Sequence, residues 1–119
     1  MCISVYKMLI NKKDLIRINQ EIGATGKLIN EGSLDYALNI IKHRKSWLYE
    51  LSHLVRSLLV DHAFEEGNKR TALVLILSYF EEKGVKYDRN RISLVVYKIA
   101  KKNINHVTRI MELIKSGIR

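Results

Sequence analysis

The chain has 119 residues, 47% of them hydrophobic and 28% charged, with 21 Lys and Arg against 12 Asp and Glu for a formal net charge of +9. That length and composition describe one globular domain over residues 1–119, able to bury a single modest core. They exclude disordered, collagen-like and Pro-rich linker classes, since proline is absent and there are only six glycines. The single cysteine, Cys2, excludes an internal disulfide framework and a cysteine-based zinc site. It fits a reducing, cytoplasmic setting.

The N-terminal stretch carries its charge after the apolar residues and shows no small-residue cleavage site, so it does not read as a signal peptide. The longest apolar run, Ala72 to Leu77, is far short of the ~20 residues a membrane helix needs. Residues 1–82 hold 11 basic and 10 acidic side chains, and residues 83–119 hold 10 and 2, so a net +8 falls in the last third. Such a basic module suits an acidic protein partner or a nucleic acid, or is a solvated pair of helices. No aromatic interleaving or helix-turn-helix pattern favours nucleic acid.

In chain order, residues 3–10 could form a short strand. Leu15, Ile18 and Ile22 have helical spacing over Asp14 to Ile22, and Gly23 ends that helix. Residues 23–32 contain three glycines and read as a flexible loop or flap. Ser33 is an expected N-cap for a helix carrying Leu34, Leu38 and Ile41. Over 46–61, Leu48, Leu51, Leu54, Val55, Leu58 and Leu59 form one apolar stripe, which His62 prolongs at the C-terminal lip. Thr71 to Glu82 is apolar nearly all round and reads as a buried central helix stopped by Gly84. Two basic amphipathic helices follow, around Ile92, Val95, Val96 and Ile99, then Val107, Ile110, Met111 and Ile114. The expected fold is a compact all-α bundle around a buried central helix, with room for a short N-terminal strand or a β-hairpin flap.

Between the two strongest helices lies His62-Ala63-Phe64-Glu65-Glu66-Gly67-Asn68-Lys69-Arg70. The N-terminus of the helix that follows offers unpaired N–H groups and a positive dipole end, an anion site. Gly67 would let the backbone approach a ligand closely. Lys69 and Arg70 add positive charge, and Arg70 can grip phosphate oxygens bidentately. Glu66 is an oxygen ligand that could bring Mg²⁺ to the same phosphates. His62 has the chemistry for proton transfer near neutral pH, and a helix C-terminus would favour its imidazolium. These are parts for moving a phosphate-containing group from a nucleotide to a hydroxyl. Each has a plainer role: dipole complement for Glu65 and Glu66, a loop glycine, an interfacial histidine.

The segment resembles the signature loop of the Fic/Doc superfamily (the Fido fold), His-x-Phe-x-[Asp/Glu]-Gly-Asn-[Gly/Lys]-Arg, at all seven specified positions. Thr71-Ala72-Leu73 resembles the Doc, or death-on-curing, branch. The motif match covers residues 62–73; the rest of the chain matches only as a pattern of helices and flap. The resemblance implies His62 as the general base for a target Ser, Thr or Tyr hydroxyl and Glu66 as the Mg²⁺ ligand. It implies that Asn68, Arg70 and the Gly67–Arg70 backbone, with Lys69, cradle the phosphates of ATP. Phe64 would anchor the loop, and the flap from Gly26 to Asp35 would align the target by strand-like pairing. Adenylyltransferases of the superfamily carry glycine where Lys69 stands, and usually a second arginine where Leu73 stands. Lysine there, as in Doc, implies reversed nucleotide binding and transfer of the γ-phosphate; Gly67, in contrast, is the Fic-like choice.

The resemblance therefore implies a Doc-like toxin of a toxin–antitoxin system. It would be a transferase using ATP and Mg²⁺ to phosphorylate a translation protein of the elongation factor Tu type, in the cytoplasm. Its antitoxin would be a separate chain whose acidic segment docks on the basic C-terminal module. AMP transfer to a protein hydroxyl is the first alternative. A non-catalytic Fido domain that binds a protein or nucleic acid through its basic helices is the second. Ser46 to Glu50 resembles a self-inhibitory pattern but falls in a helix the core needs. Gly23 to Leu28 lacks the spacing of a Walker A loop. His43, His53 and His106 read as structural, Trp47, Tyr79 and Phe80 as core, and Cys2 as inert.

Overall fold

The computed structural model describes residues 10–42 and 46–119; the expected strand at 3–10, Cys2 and His43 lie outside the described residues apart from Ile10. Helix α1 spans Lys12–Glu21, two residues earlier than the apolar spacing predicts. A capping box moves its start. Asn11 Oδ1 accepts from the Asp14 N–H at 2.9 Å, and Asp14 Oδ2 accepts from the Asn11 N–H at 3.1 Å. Helix α2 spans Glu31–Lys42. Ser33 is therefore not its N-cap: it lies inside the first turn, and the preceding Asn30 side chain accepts from the Ser33 N–H at 3.4 Å. The Ser33 hydroxyl instead donates to Asp61 Oδ2 at 2.6 Å and lies 3.0 Å from Ser57 Oγ.

Helix α3, Trp47–Leu59, starts at a Ser46 cap whose hydroxyl accepts from the Tyr49 N–H at 3.1 Å. Helix α4 spans Asn68–Lys83 and ends on Gly84 in the left-handed conformation, φ +70°. Helices α5, Arg89–Lys102, and α6, Val107–Lys115, are the two basic amphipathic segments. The all-α expectation holds among the described residues. Their only β pairings are two isolated bridges, Leu28 with Phe64 and Tyr87 with Ile118. No helix among them is long and apolar enough to cross a membrane.

The central helix is α3 rather than the all-apolar α4. Helix α3 packs against α2, α4, α5 and α6, whereas α4 meets α1, α3 and α5. Every residue of α3 from Glu50 to Leu59 except Arg56 is buried, while Leu73, Val74 and Leu77 of α4 are only partly covered. The reason is the number of helices packed around α3. The two buried serines of α3 have partners: Ser52 Oγ donates to Leu48 O at 2.7 Å, and Ser57 meets Ser33. Amphipathic patterning alone therefore understated how deeply α3 sits.

His53 on α3 is 7% exposed, packed edge-on between Tyr49 at 4.6 Å and Tyr36 at 6.1 Å. Desolvation holds its pKa below the ordinary 6.5, and the nearby Arg56 charge adds to this. The folded protein thus keeps a neutral imidazole at a pH where the unfolded chain already binds a proton. Stability is full above the ordinary histidine value and falls as the pH drops below it. Urea midpoints compared at about pH 7.5 and about pH 5.5 should show a larger acid loss for the wild type than for His53→Gln; equal losses would refute this.

Candidate functional site

The α3–α4 connection is short, and each of its residues is held by a neighbouring element. Helix α3 stops at Leu59, so His62 does not prolong its stripe. It sits three residues beyond the helix, exposed, with φ +52°. A non-glycine residue in this region costs of the order of 1–2 kcal/mol. Bonds on both sides impose it. The Asp61 N–H donates to Arg56 O at 3.2 Å, and the Ala63 N–H donates to Ser57 O at 3.1 Å. The imidazole makes no hydrogen bond among the described residues, so the backbone alone sets its position.

Phe64 is fully buried and anchors the loop to the core. Asn68 locks that anchor from the first turn of α4. Its Oδ1 accepts from the Phe64 N–H at 3.0 Å, and its Nδ2 donates to Phe64 O at 2.9 Å. The carboxamide is a clamp on the loop, which leaves the Asn68 backbone amide as its contribution to an anion site. The flap joins from the other side. The Glu65 N–H donates to Lys27 O at 2.9 Å and the Ile29 N–H to Ala63 O at 2.9 Å. Leu28 opposes Phe64 as the pair without mutual hydrogen bonds, so the Leu28 N–H and C=O point to the outer edge. The flap is thus a single strand-like stretch and not a hairpin. It ends at Asn30, because Glu31 to Asp35 belong to α2.

A residue absent from the sequence expectations organises this meeting. Asn19 of α1 is fully buried. Its Nδ2 donates to Glu66 O and to Thr71 Oγ1, both at 3.0 Å, and its Oδ1 accepts from the Gly26 N–H at 2.8 Å. One carboxamide ties helix α1, the flap, the loop and α4 together. Its signal in the sequence was a polar residue four positions after Leu15, on the apolar face of α1.

Gly67 is the N-cap of α4, with φ +76°. A Cβ there would meet Ala24 Cβ at 2.8 Å, Ile22 Cδ1 at 3.0 Å and Asn19 Nδ2 at 3.1 Å. The close approach Gly67 permits is therefore to the end of α1 and the flap, not to a ligand. With glycine as cap, no side chain covers the α4 N-terminus, and the Asn68, Lys69 and Arg70 N–H groups have no partner among the described residues. The Thr71 N–H is already committed to Gly67 O at 2.9 Å.

His62, Glu66, Gly67, Asn68, Lys69 and Arg70 all line one cleft of about 310 Å³, with Leu59, Glu65 and Ala100 completing its wall. All six sequence-derived site residues are brought together. Ala100 places α5 on this wall, so the basic C-terminal third borders the cleft. A smaller hollow between Lys69, Arg70, Leu73, Val96 and Tyr97 adjoins it. Glu66, Lys69 and Arg70 are exposed and form no ion pair among the described residues.

The described residues contain no group of three or more His, Cys, Asp or Glu side chains able to hold a metal by themselves. A Mg²⁺ shared with nucleotide phosphates needs only one or two protein carboxylates. The uncommitted Glu66, beside an uncapped helix N-terminus, fits that need. No family model, no curated protein and no solved structure matches this chain.

Two substitutions test the scaffold. Asn19→Leu leaves Glu66 O and the Gly26 N–H without their partner and should destabilise the fold by about 3 kcal/mol. Gly67→Ala should cost about 2 kcal/mol or more, from the left-handed backbone and the contact with Ala24. Urea denaturation measures both, and a loss under about 0.5 kcal/mol in either would refute its assignment.

Proposed function

We propose that this protein is a Doc-like transferase that moves the γ-phosphate of ATP to a Ser or Thr hydroxyl of a protein substrate. The observation that carries the reading is the convergence of His62, Glu66, Lys69 and Arg70 on one cleft at an uncapped helix N-terminus, with Glu66, Lys69 and Arg70 in no ion pair among the described residues. The complete signature from His62 to Arg70 supports it from the sequence side.

In this reading the Asn68, Lys69 and Arg70 amides receive phosphate oxygens along the α4 dipole. The Arg70 guanidinium grips the phosphates from the side, and Lys69 offsets their charge. Glu66 holds Mg²⁺, which when bound neutralises negative charge on the phosphates. His62 accepts the proton of the target hydroxyl as that oxygen bonds to the γ-phosphorus. The bond to the bridging β–γ oxygen breaks, and ADP leaves. The open outer edge of Leu28 offers a strand partner for the target segment. A translation factor is the proposed target, in the cytoplasm. The net +8 of residues 83–119 suits an antitoxin with an acidic segment.

Lys69 favours γ-phosphate over AMP transfer, since it fills the space of the glycine found in adenylyltransferases of the superfamily. Gly67 carries no weight for AMP transfer, because its own backbone and Ala24 already require it.

The test is incubation with cell lysate, Mg²⁺ and ATP labelled at either the α or the γ phosphate. Label is expected from γ only, reduced by about 100-fold or more in His62→Asn. Asparagine suits that variant because it tolerates the left-handed backbone at this position. Label from α would replace phosphate transfer by AMP transfer. The absence of any label that depends on His62 would overturn the enzymatic reading.

A further inference from the structure

A second cleft, of about 380 Å³, lies between α2 and α3 and separates from the first at consecutive residues: Asp61 lines one and His62 the other. Its size falls in the range of small-molecule sites, about 300–1,000 Å³. Its polar groups come from Ser33, His53, Arg56, Ser57 and Asp61, with the Tyr36 ring at the side.

Two features of this cleft lack an explanation within the fold. First, His53 Nε2 and Arg56 Nε are both buried without a hydrogen-bond partner among the described residues, and His53 is more than nine-tenths buried. Buried polar atoms left unpaired are costly and uncommon. Second, Arg56 and Asp61 carry opposite charges, line the same cleft and are joined through the backbone, yet their side chains form no ion pair among the described residues. Asp61 is held by the Ser33 hydroxyl at 2.6 Å, itself 3.0 Å from Ser57 Oγ. The carboxylate is thus held by Ser33 and not by Arg56.

We propose that this cleft binds a small zwitterion of the amino-acid type, its carboxylate on Arg56 and its ammonium group on Asp61. A planar guanidinium matches a carboxylate through paired N–H donors. The Asp61 carboxylate retains acceptor capacity beyond the Ser33 bond. An anion alone would meet the Asp61 charge, and a cation alone would meet Arg56. An apolar ligand would leave both charges and His53 Nε2 desolvated and unpaired. A ligand with both charges satisfies the two ends at once, and Tyr36 offers an aromatic wall to the rest of it. The inference does not depend on the proposed phosphate transfer.

The test is NMR on the isotope-labelled full chain, following the Arg56 Nε–H and His53 ring signals. The probes are L-alanine, L-glutamate and L-lysine, each titrated to about 10 mM, with acetate, inorganic phosphate and ethylammonium as single-charge comparators. At least one amino acid is expected to move both signals saturably, at least tenfold more tightly than acetate, phosphate or ethylammonium. Arg56→Gln and Asp61→Asn should each weaken that binding by tenfold or more. Arg56→Lys, which keeps the charge without the fork, should weaken it less than Arg56→Gln and guards against a folding defect. The proposal is overturned if no amino acid saturates, if a single-charge comparator binds as tightly, or if binding survives both Arg56→Gln and Asp61→Asn.

Discussion

The buried carboxamide of Asn19 is the constraint from which the first cleft is built. Two stretches of chain some fifty residues apart meet there: helix α1 with Gly26 of the flap, and Glu66 of the loop with Thr71 of α4. Inside a low-dielectric core each of these groups would be costly without a partner. The contact therefore selects one arrangement of loop and flap. Asn68 repeats the device on the other side of the loop, where it holds both backbone polar groups of Phe64. Between the two carboxamides the loop has little freedom, and the left-handed turn at His62 becomes tolerable because its neighbours leave no alternative.

This rigidity explains how charged groups can stay uncommitted. Glu66, Lys69 and Arg70 lie within one short segment, yet none forms an ion pair among the described residues. The backbone between them is fixed by bonds that do not involve their side chains. Positioning by main-chain and carboxamide contacts leaves the charged ends available for a ligand, which is how sites avoid reorganisation at the moment of reaction. The second cleft follows a similar plan. Ser33 holds the Asp61 carboxylate, and no ion pair joins it to Arg56 among the described residues, so two opposite charges line one space.

The basic C-terminal third also changes meaning in three dimensions. Its charge is legible as a count, but its place is not. Helix α5 supplies Ala100 to the wall of the first cleft, and Val96 and Tyr97 lie beside Lys69 and Arg70. The basic third therefore meets the candidate site through uncharged residues of α5.

Much of the helical layout follows from local sequence chemistry. The 3.6-residue spacing marks α1, α3, α5 and α6, Ser46 caps α3, and Gly84 ends α4, since each depends on residues a turn apart. The segment from His62 to Arg70 stands out on residue types alone. Other features needed the tertiary structure. Asn30 and Asn11 displace the expected helix starts, because capping depends on which side chain reaches the first free N–H. Helix α3 takes the centre from α4, because burial depends on how many neighbours a helix has and not on how apolar it is. Asn19, the role of Gly67 against Ala24, and the cleft that Ser33 and Tyr36 share with Arg56 and Asp61 join residues far apart in the chain. Short-range pattern carries propensity and chemistry along the chain, while long-range packing decides which of those groups meet.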